Sequence, residues 1–280
     1  MFAIRRLTMV AMFTFCVLAN TTTATRAQDK TKVLTEICYG ETKEGKFHQL
    51  DLYLPDGQDF PVVVFAHGGA WMWGDKSEYE YLGRFLAKNG IGVAIINYRL
   101  APQTQQPGHV QDMAKAVTWV HANIGKHGGN RDKLFVAGYS AGGHLAALIA
   151  TDESYLRAEG LNRRSVSGVI SISGVYSAEK LPGLDLVFPV KDRDNYFATK
   201  HVNATTPKFL LFHAEKEFFG LDTQAKQFHA KLLKAGCKAT LQSVSDADHF
   251  EMATEKTNRQ FGPQVVDFIH GRTNVAAAMK

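Results

Sequence analysis

Cysteine is scarce in this chain, with three residues in 280, and no two of them form a CxxC pair. HExxH is missing as well, so the common signatures of a zinc site or a thiol redox centre are absent, and no metal or cofactor is implied. There is no long run of lysine or arginine and no aromatic ladder beside the basic residues, which leaves nucleic acid without a footprint. Internal repeats, low-complexity tracts and linkers are lacking too. What is present is an ordinary globular composition, 45% hydrophobic and 21% charged, enough to bury a full core in a single α/β domain.

The first residues read differently from the rest. Arg5 and Arg6 precede an apolar run from Leu7 to Ala19, and Thr25 and Ala27 stand like the small residues before a cleavage site. The run is shorter than the roughly 18 residues of a spanning helix. Met1 to about Ala27 is therefore expected to be a secretory signal, leaving residues 28–280 as one domain, secreted or periplasmic, with no stable membrane insertion. Its removal takes away Arg5, Arg6 and Arg26 and no acid, so the formal charge falls from +5 by three to +2. A balance so near neutral predicts no polyanionic partner and says nothing of oligomeric state. Cys16 leaves with the signal. Cys38 and Cys237 fall in segments near opposite ends of the expected sheet order, and two free buried thiols are expected.

Strand and helix signals alternate along the remainder. Lys32 to Tyr39 and Phe47 to Leu54 read as strands, the second with Leu50, Leu52 and Leu54 alternating with Asp51 and Tyr53. Val62 to Ala66 is a continuous apolar run, the mark of an interior parallel strand covered on both faces. Ser77 and Glu80 form a capping box for a helix to about Asn89, where Gly90 stops it. Ile91 to Asn97 is the next strand, Gly108 to Ile124 a helix, and Lys133 to Tyr139 a strand that leads into a helix from Ala141 to Ala150. Strands at Val166 to Ile172, Lys208 to Ala214 and Ala239 to Val244 follow, with helices at about Thr223 to Ala235 and Thr257 to His270. The fold class is α/β, an open, mostly parallel sheet with helices on both faces and an antiparallel edge made by the first strands. One stretch breaks the rhythm. Residues 174–206 hold no long periodic run and lie between two strands, so a short lid over the carboxyl edge of the sheet is expected.

Gly138, Tyr139, Ser140, Ala141 and Gly142 form a GxSxG elbow set between a strand and a helix. That context presents Ser140 at the tip of a tight turn. A serine hydroxyl is a weak nucleophile without an adjacent base, itself held by an acid. In hydrolases of this build the chain order is serine, acid, histidine. His249, after the last strand, fits as the base better than His270 in the closing helix. The acid should follow the strand ending at Ala214, where Glu217 is the first choice and Asp222 the runner-up; Asp246 and Asp248 are expected to shape a turn or face solvent. The tetrahedral oxyanion needs donors fixed beforehand. Gly69 and Ala70, in the loop after Val62 to Ala66, and Ala141, at the start of the nucleophile helix, would supply them, with His67 orienting the loop. Trp71, Trp73, Phe218 and Phe219 would either flank the substrate pocket or join the core.

HGGAW (67–71), Gly74 and Asp75, NYRLAP (97–102), GYSAGGHLA (138–146) and DHF (248–250) together resemble the α/β-hydrolase superfamily. Within it they resemble the small branch of bacterial carboxylesterases, feruloyl and acetyl-xylan esterases, and kynurenine formamidase. The likeness spans nearly all of residues 28–280. It departs from the usual pattern in carrying Glu217 where aspartate is customary, and Ala70 where the hormone-sensitive-lipase branch has glycine. The resemblance implies an eight-stranded α/β-hydrolase fold and a serine carboxylic ester hydrolase without a cofactor, acting on a small-molecule or polysaccharide-linked ester of feruloyl or acetyl type. The alternatives are an aryl formamidase, which would share every catalytic residue, and a catalytically inactive hydrolase fold used for binding.

Overall fold

The computed structural model describes residues 31–40, 46–178, 181 and 183–272. The expected signal, residues 1–27, and the middle of the lid segment at 179, 180 and 182 lie outside the described residues.

Eight strands form one sheet: β1 (Lys32–Cys38), β2 (Gln49–Leu54), β3 (Phe60–Ala66), β4 (Gly92–Asn97), β5 (Gly129–Tyr139), β6 (Gly168–Ile172), β7 (Phe209–Lys216) and β8 (Ala239–Asp248). Their spatial order is β1-β2-β4-β3-β5-β6-β7-β8. The β1–β2 and β2–β4 pairings are antiparallel and the other five are parallel, so the edge expected of the first strands is present. Parallel strands need crossovers, and six helices are described: α1 (Glu80–Lys88), α2 (Gly108–Asn123), α3 (Ala141–Thr151), α4 (Ser154–Ala158), α5 (Leu221–Lys234) and α6 (Glu255–His270).

The period of two along each strand sorts the core into two halves. Val62, Val64 and Ala66 of β3 point to the side of α2, α3 and α5, where Val110, Val117, Leu145, Leu148, Phe228 and Leu232 are buried. Val63 and Phe65 point the other way, to Leu82 and Leu86 of α1 and Phe261 and Val265 of α6. Every residue of β3 and β4 is buried. This is why those strands read as unbroken apolar runs rather than as an alternation.

Three local expectations change. The start of α1 is not closed by a Ser77–Glu80 box; Asp75 caps a preceding 3-10 turn (Lys76–Tyr79), its carboxylate accepting from the Ser77 N–H at 3.0 Å. Asp75 wins because it sits in extended backbone directly before the 3-10 turn, where a cap residue belongs, and its carboxylate reaches the Ser77 N–H two residues on. Helix α4 was not legible, being a single short helix without a full period. Both described cysteines are free, but Cys38 is exposed on the edge strand and only Cys237 is buried.

Candidate active site

Every loop that matters leaves the carboxyl end of a strand. The turn after β5 puts Ser140 at φ 53°, a left-handed conformation that costs a non-glycine residue energy and is held here by packing. Its own N–H donates to the Ile172 carbonyl at 2.8 Å, and the His144 N–H returns to the Ser140 carbonyl at 3.0 Å. Gly142 is needed for closeness: a Cβ there would run into the Ala66 carbonyl at the end of β3.

Three side chains from three loops meet at this tip. The Ser140 hydroxyl lies 3.0 Å from His249 Nε2, and His249 Nδ1 donates to Glu217 Oε2 at 2.7 Å. The Glu217 side chain is fully buried and that of His249 nearly so. Glu217 Oε1 accepts the Ala214 N–H at 3.0 Å and the Ser173 hydroxyl. Burial by itself pushes the Glu217 carboxyl up, but the His249 bond and charge, the Ser173 hydroxyl and the Ala214 N–H outweigh it and hold the group below its ordinary value. It is therefore a carboxylate at neutral pH. Asp222, the alternative acid, lies in the first turn of α5 and pairs with Lys226 at 2.9 Å. Glu215 accepts from the Asp246 N–H, and Asp248 exchanges bonds with Glu251, so neither Asp246 nor Asp248 bonds to the imidazole.

Opposite the base lies the loop after β3. Gly69 has φ 107° and Ala70 φ 50°, and a side chain on Gly69 would strike the Trp73 carbonyl. The Gly68 N–H donates to the Tyr79 hydroxyl at 3.3 Å. Gly69 and Ala70 are different: among the described residues their N–H groups have no acceptor. Ala141 opens α3, where a helix leaves its first N–H groups unpaired. The loop is braced from below by residues of the NYRLAP stretch. Tyr98 donates to the His67 carbonyl at 3.0 Å and its ring stacks on the His67 imidazole at 4.4 Å. Asn97 accepts from the Lys76 N–H at 2.7 Å and donates to Asp75 at 3.0 Å. Arg99 donates to Asp112 in α2, which His48 also meets at 2.8 Å. His67 donates to the Gly68 carbonyl at 2.7 Å, and burial lowers its pKa to about 4, so it is neutral.

The expected pocket residues part company. Trp71 is buried, its indole at 5.0 Å from the Phe188 ring, so it holds the loop from inside rather than lining the site. Phe218 lies with its ring 4.2 Å from the His249 ring, and Phe219 is half exposed beside it. Trp73 is exposed. Phe250, which sequence reasoning passed over, is 72% exposed and stacks on Phe218 at 5.5 Å. An exposed aromatic directly after the base was the available signal. Residues of the 174–206 segment form 3-10 turns (Leu184–Leu186, Arg193–Tyr196, Ala198–Lys200), with Phe188 and Phe197 buried against α3. No group of three or more His, Cys, Asp and Glu that would hold a metal ion occurs among the described residues.

An elbow serine at the centre of a mostly parallel eight-stranded sheet, with a histidine and a carboxylate delivered by the last two strands, defines an α/β-hydrolase. Comparison with known proteins agrees with that fold: residues 50–183, just under half of the chain, match the BD-FAE family model, and carboxylesterases and a formamidase are among the proteins the chain is similar to. It is 25% identical over 248 residues to kynurenine formamidase of Danio rerio, covering 84% of this chain and 81% of that protein. It is 28% identical over 276 residues to isoprenylcysteine alpha-carbonyl methylesterase of Arabidopsis thaliana, covering 87% of this chain but 63% of the relative, so it spans less than two-thirds of that length. Among solved structures, esterase B from Lactobacillus rhamnosis superposes with a TM-score of 0.73 at 22% identity, over 88% of this chain and 87% of that one. At that identity the likeness speaks for the fold.

Proposed function

We propose that this chain is a secreted or periplasmic serine carboxylic ester hydrolase that works through an acyl-enzyme, on a small or aromatic ester of feruloyl or acetyl type, free or linked to a polysaccharide. The observation that carries the reading is the continuous hydrogen-bonded path from Ser140 through His249 to Glu217. In the proposed reaction Ser140 Oγ attacks the acyl carbonyl carbon as His249 Nε2 takes the hydroxyl proton. The N–H groups of Gly69, Ala70 and Ala141 receive the oxyanion, and the Glu217 carboxylate steadies the imidazolium. His249 then gives the proton to the leaving alkoxide. Water, deprotonated by the same histidine, attacks the acyl-enzyme and releases the acid and Ser140.

Phe218, Phe219 and Phe250 support an aromatic or medium acyl or alcohol group, because they present ring faces beside the base. The secreted location rests on the Arg5 to Ala27 pattern of the sequence. Aryl formamidase activity is the second reading, favoured by the match over most of the length of the Danio rerio enzyme.

The test is hydrolysis of p-nitrophenyl acetate and butyrate, methyl ferulate, acetylated xylan and N-formylkynurenine, each beside Ser140→Ala. Preference for ferulate or acetyl-xylan upholds the ester reading, and preference for N-formylkynurenine replaces it with the second. Failure of a fluorophosphonate to label Ser140 would instead mark an inactive fold used for binding.

A further inference from the structure

Ala70 and Trp71 are consecutive non-glycine residues with φ of 50° and 59°. Side chains resist that backbone, and two in succession persist only where something outside the loop holds them. The loop's own bonds, from the Met72 and Trp73 N–H groups to the Gly69 carbonyl, close the turn, and the Ala101 N–H holds the Trp71 carbonyl at 2.8 Å, but none of these reaches α3. The hold from α3 runs through a side chain. Trp71 Nε1–H donates to His144 Nδ1 at 3.2 Å, with the two rings edge to face at 5.1 Å. His144 sits one helical turn beyond Ser140, and its backbone N–H closes the first turn of α3 on the Ser140 carbonyl. The opposite ring nitrogen, Nε2, donates to the Tyr196 carbonyl of the 174–206 segment at 2.6 Å.

This pair of bonds fixes one protonation state. Nδ1 must be bare to accept from the indole, and Nε2 must carry the proton to donate to a carbonyl. The imidazole is fully buried, and burial pushes its pKa down to about 3, consistent with a neutral ring. No other side chain presents an acceptor and a donor at opposite ends of a rigid plate. Asparagine and glutamine carry both at one end.

We propose that His144 is a positioning residue: as a neutral imidazole protonated on Nε2, it ties Trp71, and through it the Gly69 and Ala70 donors, to the helix that carries Ser140, and ties the 174–206 segment to the same point through Tyr196. The distance between nucleophile and oxyanion donors then depends on this ring as well as on the loop's backbone bonds. This rests on the esterase reading of Ser140.

The decisive variant is Trp71→Phe, which keeps an aromatic ring against Phe188 and removes the N–H. It should lower kcat about 10- to 100-fold, no more than the loss of a whole oxyanion donor, and leave KM within about twofold. Affinity for a trifluoromethyl ketone, whose adduct places an oxyanion in the same spot, should fall by the same factor as kcat/KM. Affinity for the product carboxylate should not change. A merely structural loss would not divide the two ligands this way. Unchanged kcat and ketone affinity in a folded Trp71→Phe protein would overturn the proposal.

A second measurement needs no variant to fold. In the wild-type protein with 15N-labelled histidine and tryptophan, His144 should show a protonated Nε2 and a bare Nδ1 coupled across the hydrogen bond to Trp71 Nε1–H. A proton on Nδ1, or no such coupling, would refute it. Full activity in Ser140→Ala would sink the esterase reading instead, while the NMR result would still decide whether the bridge exists.

Discussion

The two sides of the candidate site are built differently. The loop carrying Gly69 and Ala70 stands over a stack of buried polar contacts, including the Lys76–Asp51 ion pair at 2.8 Å and the Arg99–Asp112 pair that His48 completes. His249 and Glu217 are delivered by short loops from the sheet's last two strands, beneath aromatic side chains open to solvent. Donors that receive a developing charge act through being fixed in advance, which rewards rigidity. A base that swings its proton between nucleophile and leaving group needs only its ring anchored, and one carboxylate with three bonds does that. The contrast teaches where disturbance should be felt: as lost rate on the base side, and on the donor side as lost stability where the buried brace is cut, with rate following only where the donors themselves move.

The largest break should come at the tip itself. Ser140→Ala or His249→Ala should each reduce kcat by about 10⁴-fold or more with little change in melting temperature; a stable variant that keeps most of its rate would refute their roles. Glu217→Gln comes next, with a loss of about 10³- to 10⁴-fold, because an amide in place of the carboxylate no longer holds the imidazole tautomer. Glu217→Asp should do less damage yet not restore the rate, since the shorter arm cannot reach His249 while keeping Ala214 and Ser173.

In the brace beneath the donors the expected currency is stability. Asp112→Asn should destabilise the fold by about 3–5 kcal/mol, because Arg99 and His48 lose a fully buried partner. Denaturant unfolding would measure it, and a change under 1 kcal/mol would contradict the brace. Acid should act on the same side. Burial lowers His67 and His109 to about 4 and His144 to about 3, below the 6.5 of an exposed imidazole. Groups with depressed folded values give their full contribution above the unfolded value, and lose it as pH falls through the folded one. Melting temperature should therefore drop as pH goes from about 6.5 toward 4. Neither ring nitrogen of His109 has a hydrogen-bond partner among the described residues, so His109→Leu should flatten that slope without loss at pH 7. An unaltered slope would show that His109 does not contribute. The smallest effect is expected at Phe250, where Phe250→Ala should shift KM for aryl esters a few-fold and leave stability alone, as its exposure allows.

The same contrast explains what could be read from the sequence. The strand order of signals, the elbow, and the neighbourhood of His249 and Glu217 were legible because each is local: an apolar run, a glycine pair, a charged residue just past a strand. Ser173, His144 and Asp112 were not. Their partners lie 44, 73 and 13 residues away, and only the sheet order brings them together. Trp71 shows the limit from the other direction, since an aromatic next to a glycine pair reads equally as wall or core until its indole N–H finds His144. Cys38 was misjudged because burial on an edge strand depends on what covers the edge, which no local pattern encodes.

Tyr139, the residue before the nucleophile, donates its hydroxyl to the His249 carbonyl at 2.7 Å across 110 residues of sequence. Its contact can form only once β8 has added to the outer side of β7. The candidate base and the hydroxyl that holds its backbone thus share one dependency: any change that displaces β8 takes away His249 and its Tyr139 contact together.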